Sequence, residues 1–158
     1  MNQKFIFHLV TCLVACTLCA SGDMFAEEGS FKNITFESVG YDTSTHYQGE
    51  NVTLNFLTPY VESRGQVELH IIVVEDGIVE TKINNATISS KYFAGGEYRQ
   101  KTPIPTGLID LGNNTISMLF LGDDDGYYYN IHHIKMANPR ACKITLLEDS
   151  TINVTSTA

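Results

Sequence analysis

Apolar and polar residues alternate along this chain with a period of two, and this pattern predicts β-structure. Residues 52–56 (VTLNF) and 67–71 (VELHI) alternate strictly, and 72–74 continue as an apolar run. Successive side chains of a strand point to opposite faces, so such segments are typical of strands with one buried face. No long segment carries the 3.6-residue period of a helix. The sequence therefore predicts an all-β chain.

Short strands are expected along the whole domain. Gly, Pro, Asn and Asp turns bound further β-rich segments at residues 34–36, 78–83, 97–101, 115–121, 127–136 and 143–148. Asp76-Gly77 separates two such runs. Because both residues accept a positive φ, we predict a hairpin that pairs 67–74 with 78–83. About eight strands without helices indicate a single antiparallel β-sandwich.

The N-terminal residues have the composition of a secretory signal. Residues 5–20 are apolar, and acidic residues from Asp23 onward end the run short of a membrane span. We predict a signal peptide at 1–21, a flexible acidic leader at 22–30, the β-sandwich at 31–149 and a flexible tail at 150–158. A lipobox-like Leu-Val-Ala-Cys ending at Cys16 leaves lipidation open as a rival. No second apolar run long enough for a membrane span follows in the sequence.

Sequons for N-glycosylation occur at intervals along the domain. Their asparagines are Asn33, Asn51, Asn85, Asn113 and Asn153, and none is followed by proline. Their spread favours glycosylation in a eukaryotic secretory pathway, so we expect a secreted, extracellular protein. The alternative is a Thr-rich β-protein that carries the motif by chance.

Removal of the signal leaves one cysteine. Cys12, Cys16 and Cys19 lie in the signal, so Cys142 alone remains and no internal disulfide is predicted. A single cysteine in an oxidising compartment is either buried and inert or bonded to another chain. Cys142 therefore leaves two alternatives, a buried thiol or a disulfide-linked homodimer.

Charge and motif content exclude several classes of function. Ten Lys and Arg against eighteen Asp and Glu give a net charge of −8, with no basic cluster. Such a chain cannot neutralise a phosphate backbone or an anionic membrane, so nucleic acid is not an expected partner. Neither a Gly-x-Ser-x-Gly nor a His-Glu-x-x-His motif is present. The sequence predicts a binding protein rather than an enzyme.

An acidic turn precedes a tyrosine-rich strand. Asp123, Asp124 and Asp125 stand before a glycine, and clustered carboxylates are the ligands that calcium prefers. The alternative is an exposed turn that keeps a sheet edge soluble. Calcium is the one cofactor that the sequence raises, and otherwise none is expected.

The tyrosines that follow are candidates for a sugar site. Tyr127 and Tyr129 share one face of a strand by alternation, and Asn130 follows them. Sugar C–H faces stack on aromatic rings, and an amide both donates to and accepts from hydroxyls. The alternative is an ordinary aromatic strand that packs against the core.

A family resemblance bears on the same segment. Gly112-Asn113-Asn114-Thr115-Ile116, then Gly126 and Asn130-Ile131-His132-His133-Ile134, resemble the closing strands of jelly-roll carbohydrate-binding modules of families six and thirty-five. The resemblance covers about residues 67–136. It implies a jelly-roll-like sandwich with Asn130 at the sugar cleft, where His132 replaces the usual Asp.

Two binding functions follow. The first is extracellular protein–protein interaction, as a secreted effector or surface-associated module, through loops near residues 122–129 and 92–98 that carry no sequon. The alternative is a carbohydrate-binding, lectin-like module that uses Tyr127, Tyr129 and Asn130. The expected partner is an extracellular protein or a glycan.

Overall fold

The computed structural model describes residues 31–60, 63–122, 129–131, 134–136 and 142–157. These residues form twelve strands and one short 3-10 helix, Glu37–Val39. The strands are β1 (Phe31–Thr35), β2 (Ser44–Tyr47), β3 (Asn51–Thr58), β4 (Ser63–Glu75), β5 (Gly77–Ile83), β6 (Ala86–Phe93), β7 (Gly96–Ile104), β8 (Gly112–Gly122), β9 (Tyr129–Ile131), β10 (Ile134–Met136), β11 (Lys143–Leu146) and β12 (Thr151–Ser156).

The larger sheet is built around β4, which is 13 residues long. One edge of β4 pairs with β7. The other edge is shared, because β12 pairs with its first half and β11 with its second half. β1 then adds to β12, and β2 adds to β11. All of these pairings are antiparallel. Strand β4 therefore connects the β12–β1 pair, the β11–β2 pair and β7 into one six-stranded sheet, because all three pair with it.

The smaller sheet has the order β3-β8-β5-β6 and is also antiparallel. β5 and β6 form a hairpin whose turn residues, Asn84 and Asn85, have φ of 47° and 68°. Asparagine tolerates this left-handed region better than other non-glycine residues. The predicted position of Asn85 in a turn is confirmed.

The core lies between the two sheets and follows the alternation seen in the sequence. Val67, Leu69, Ile71 and Val73 of β4 are buried, as are alternate residues of β8 from Ile116 to Phe120. Burial of apolar area at about 25 cal/mol per Å² is the main stabilising contribution in such a sandwich. The predicted antiparallel β-sandwich without an internal disulfide is confirmed, since Cys142 is a free thiol.

The predicted Asp76-Gly77 hairpin is wrong. β4 and β5 belong to different sheets, so Gly77 stands where the chain crosses from one sheet to the other. Its φ is not positive. Glycine is needed there for space, because a Cβ atom would lie 2.5 Å from Cys142 Sγ and 2.9 Å from the carbonyl oxygen of Leu121.

The predicted flexible tail at 150–158 is also wrong. Ser150 is buried, and β12 lies between β1 and β4 in the larger sheet. Ile152 and Val154 alternate with polar residues and are fully buried, so this Ser/Thr-rich segment completes the core. The apolar side chains on one face of β12 are enough to hold the strand in the sheet, although the other face is polar.

Other predicted elements stand as follows. Residues 127–136, predicted as one strand, contain the antiparallel hairpin of β9 and β10. Asn51 begins β3 and Asn113 is the second residue of β8, which confirms both at strand entrances. The predicted signal at 1–21 and leader at 22–30 lie outside the described residues. Among the residues that are described, no helix has the length and apolarity to cross a membrane.

Candidate functional site

The residues that flank two sequon-free loops lie together at one end of the sandwich. β8 ends at Gly122, which pairs with Gly77, and Cys142 also lies against Gly77. Residues 122 and 142, which flank segment 123–141, therefore both lie beside the same glycine. We call this end of the sandwich the Gly77 end. Strands β4 and β8 end there, and strands β5, β7 and β11 begin there.

The turn between β6 and β7 lies at the same end, because Phe93 pairs with Gly77. The carboxylate of Asp76 holds this turn. It accepts hydrogen bonds from the Tyr92 hydroxyl at 2.7 Å and from the Gly95 backbone N–H at 2.9 Å. Tyr92 as a residue is 46% exposed. An oriented, accessible aromatic ring therefore stands where segment 123–141 begins and ends.

The predicted sugar-site residues fall within segment 123–141. Tyr129 pairs with Met136 and Asn130 pairs with Lys135 in the β9–β10 hairpin. Tyr127 and the calcium candidates Asp123, Asp124 and Asp125 lie outside the described residues, so their roles stay predictions.

Metal-binding side chains do not converge elsewhere in the described part of the chain. Across residues 31–60, 63–122 and 142–157, no group of three or more His, Cys, Asp or Glu is placed to hold an ion. Calcium binding at the acidic turn stays a prediction.

The sequon asparagines are concentrated away from the Gly77 end. Asn33 and Asn153 form a directly opposed pair on β1 and β12, in the half of the larger sheet remote from Gly77. Asn85 and Asn113 lie at the opposite end of the smaller sheet, and Asn51 is nearer Gly77. Four of these side chains are exposed and Asn153 is partly buried. Attachment of glycans stays a prediction.

A charged cluster on the outer face of the larger sheet was missed by sequence analysis. His70 of β4 is held between two carboxylates, with Nδ1 2.7 Å from Asp149 Oδ1 and Nε2 2.7 Å from Glu97 Oε1. Arg99 bonds Asp149 at 2.7 Å and Glu68 at 3.3 Å. Alternation could place His70 on the polar face. It could not supply partners that lie 27 and 79 residues away.

The carboxylates determine the protonation of His70. Burial alone lowers its pKa, but hydrogen bonds to Glu97 and Asp149 outweigh burial, and the pKa of His70 lies above its ordinary value. For Asp149, burial opposes ionisation, but hydrogen bonds from Arg99 and His70 bring its pKa below the usual range. Each ring nitrogen of His70 lies 2.7 Å from a carboxylate oxygen, and the imidazolium is the form that can donate to both, so we interpret the cluster as a structural ion-pair network.

Cys142 is fully buried beside Gly77. Burial, with a smaller contribution from the nearby charge of Glu75, raises the pKa of its thiol to about 11. The thiolate that would attack a disulfide is therefore scarce at neutral pH. This geometry favours the buried alternative, and the disulfide-linked homodimer stays an untested prediction.

No family model matches the sequence, and no curated protein matches it. Solved structures do match. One is the CBM36-1 domain of a multidomain xylanase from the hindgut metagenome of Trinervitermes trinervoides, with 13% identity and a TM-score of 0.43 over 82% of this chain and 99% of that domain.

Two further matches are similar in kind. The Podospora anserina GH26-CBM35 β-(1,4)-mannanase gives 15% identity and a TM-score of 0.45 over 84% of this chain and 28% of that one. A CBM36 module in complex with calcium and xylotriose gives 12% identity and a TM-score of 0.41 over 78% and 98%. Each of the three is, or contains, a module named CBM35 or CBM36, and all three TM-scores are below 0.5.

Proposed function

We propose that the protein is a secreted, N-glycosylated, non-catalytic module that binds glycans at the Gly77 end. One observation carries the proposal. Gly122 and Cys142, which flank the sequon-free segment 123–141, lie beside Gly77 together with the sequon-free turn after Tyr92, whereas most sequon asparagines lie in the opposite half. Glycans attached to those asparagines would leave the Gly77 end open to a ligand.

The residue types at this end suit a sugar. Tyr127 and Tyr129 offer rings for the C–H faces of a pyranose, and Asn130 offers an amide for its hydroxyls. Tyr92 adds a ring whose hydroxyl is held by Asp76. The acidic turn Asp123 to Asp125 supplies carboxylates to the same segment, so we propose that calcium strengthens binding.

The test is retention of the purified protein on a panel of polysaccharides and glycans, with and without calcium. Tyr92→Ala, Tyr129→Ala and Asn130→Ala should each weaken binding. Loss of one good hydrogen bond costs about 1–1.5 kcal/mol, so we expect about five- to tenfold weaker binding for Asn130→Ala. Phe31→Ala changes an exposed aromatic residue of the remote half and is the control. A protein that binds no glycan under either condition would refute the proposal.

A second candidate is an extracellular protein partner at the same end. Ile72 and Val74, near the end of β4, are 39% and 57% exposed. Exposed apolar side chains of this kind are typical anchors of protein interfaces. Val74→Asp should then abolish association with a purified extracellular partner or with a second copy, while glycan retention stays intact. Equal association of Val74→Asp and the unchanged protein would rule this candidate out.

A further inference from the structure

A groove runs along the open edge of β3, at the end remote from Gly77. It lies between β3 and the chain of β1 with its following 3-10 helix, and encloses about 550 Å³. This volume is in the range of small-ligand sites. Residues from three strands and the 3-10 helix line it, among them Lys32, Asn33, Val39, Asn55, Leu57 and Asn113.

The groove combines amides with an exposed apolar surface. Asn33, Asn55 and Asn113 supply carboxamides, and Leu57 is 58% exposed. The Lys32 ammonium donates a hydrogen bond of 2.6 Å to the Leu57 carbonyl oxygen, which links the two walls. Amides for hydroxyls and an aliphatic patch for C–H groups are the contacts that a sugar ring uses.

Two of the lining asparagines are themselves sequon residues. Asn113 pairs directly with Leu57 across the β3–β8 ladder. Directly opposed residues have Cβ atoms about 5 Å apart on one face of a sheet. A sugar joined to Asn113 Nδ2 would therefore begin beside the exposed Leu57 side chain.

We propose that the groove holds the first sugars of an N-glycan attached to Asn113. The inference rests on the proposed secretion and N-glycosylation. In the attachment step, Asn113 Nδ2 bonds to the anomeric carbon of an oligosaccharide carried on a lipid diphosphate. The bond from that carbon to the diphosphate oxygen breaks, and the lipid diphosphate leaves. The proton that the amide loses goes to solvent.

Asn33 also lines the groove, but it is a less suitable attachment point than Asn113 for the glycan that occupies it. It pairs directly with Asn153, which is also a sequon residue, so their Cβ atoms are about 5 Å apart. A bulky glycan on one of these residues crowds the other. We therefore expect Asn33 and Asn153 not to be occupied together.

The test uses the full chain secreted from a eukaryotic host. Glycopeptide mass spectrometry measures occupancy at each sequon, and calorimetry measures Tm. Asn113→Gln should lower Tm by about 2–4 °C, the shift that corresponds to roughly 1 kcal/mol in a domain of this size. In a Leu57→Ser background the same change should have no effect, because the sugar has lost its apolar contact. In a Tyr47→Ser background, which alters a comparably exposed residue near the other end, the full loss should return.

A second measurement leaves the sequence unchanged. An endoglycosidase that retains the first sugar should preserve Tm, whereas an enzyme that cleaves the amide linkage should lower it. An unoccupied Asn113, or a Tm loss of equal size with and without the Leu57→Ser substitution, would overturn the inference. Glycan retention, measured on the same samples, reports on the Gly77 end alone. If the protein binds no glycan on the panel but the Tm loss of Asn113→Gln still depends on Leu57, the proposed ligand is refuted. The inference about the groove then still holds.

Discussion

His70 offers a direct test of the charged cluster on the larger sheet. Its side chain is 8% exposed, and both ring nitrogens face a carboxylate oxygen at 2.7 Å. A neutral imidazole has one N–H, so only the imidazolium satisfies both contacts. His70→Leu removes both charge-assisted hydrogen bonds while preserving most of the volume.

The size of the effect follows from the geometry. A hydrogen bond to a charged group contributes about 1.5–3 kcal/mol. The Glu97 and Asp149 side chains are 65% and 49% exposed and regain water when His70 is removed, so the lower end applies. We expect His70→Leu to lower the free energy of unfolding by about 2–3 kcal/mol, or Tm by roughly 6–10 °C.

The same residue predicts a pH dependence of stability. The pKa of His70 is raised in the folded protein, so its stabilisation is complete below the unfolded value of about 6.5 and is lost as pH rises through the folded pKa. Urea denaturation of the unchanged protein and of His70→Leu at pH 6 and pH 9 should therefore show a larger difference in the free energy of unfolding at pH 6. Glu97→Gln should lower the His70 pKa measured by NMR. A difference that is equal at both pH values, or larger at pH 9, would refute the imidazolium assignment.

Three further predictions concern packing and polar burial. Gly77→Ala should destabilise the fold by about 1–3 kcal/mol through overpacking, whereas Gly95→Ala, whose nearest contact is 3.8 Å, should be nearly neutral; equal denaturation midpoints would contradict this. Cys142, with a thiol pKa of about 11, should resist alkylation at pH 8 until urea unfolds the chain, and rapid native labelling would show it to be accessible. Asn114 is 1% exposed and exchanges 2.8 Å hydrogen bonds with the Asp110 backbone, so Asn114→Ala should cost about 2–4 kcal/mol in urea titrations, and an unchanged midpoint would argue against the network.

Sequence alone identified most strands because their signal is local. Period-two alternation records which face of a strand is buried, and the buried residues of β3, β5 and β8 follow it. The same rule applied to Ile152 and Val154 would have identified β12. Terminal position and Ser/Thr content instead predict a loose end, which is wrong because one face of β12 is apolar and buried.

Strand pairing and the contacts between distant residues required the tertiary structure. Alternation does not state which strands are neighbours, so Asp76-Gly77 had the local chemistry of a hairpin although the chain crosses between sheets there. The position of Gly77 against Cys142, and that of His70 between Glu97 and Asp149, depend on residues far apart in the chain. These contacts form only when the sheets assemble, because no local periodicity encodes the register between strands that are remote in sequence.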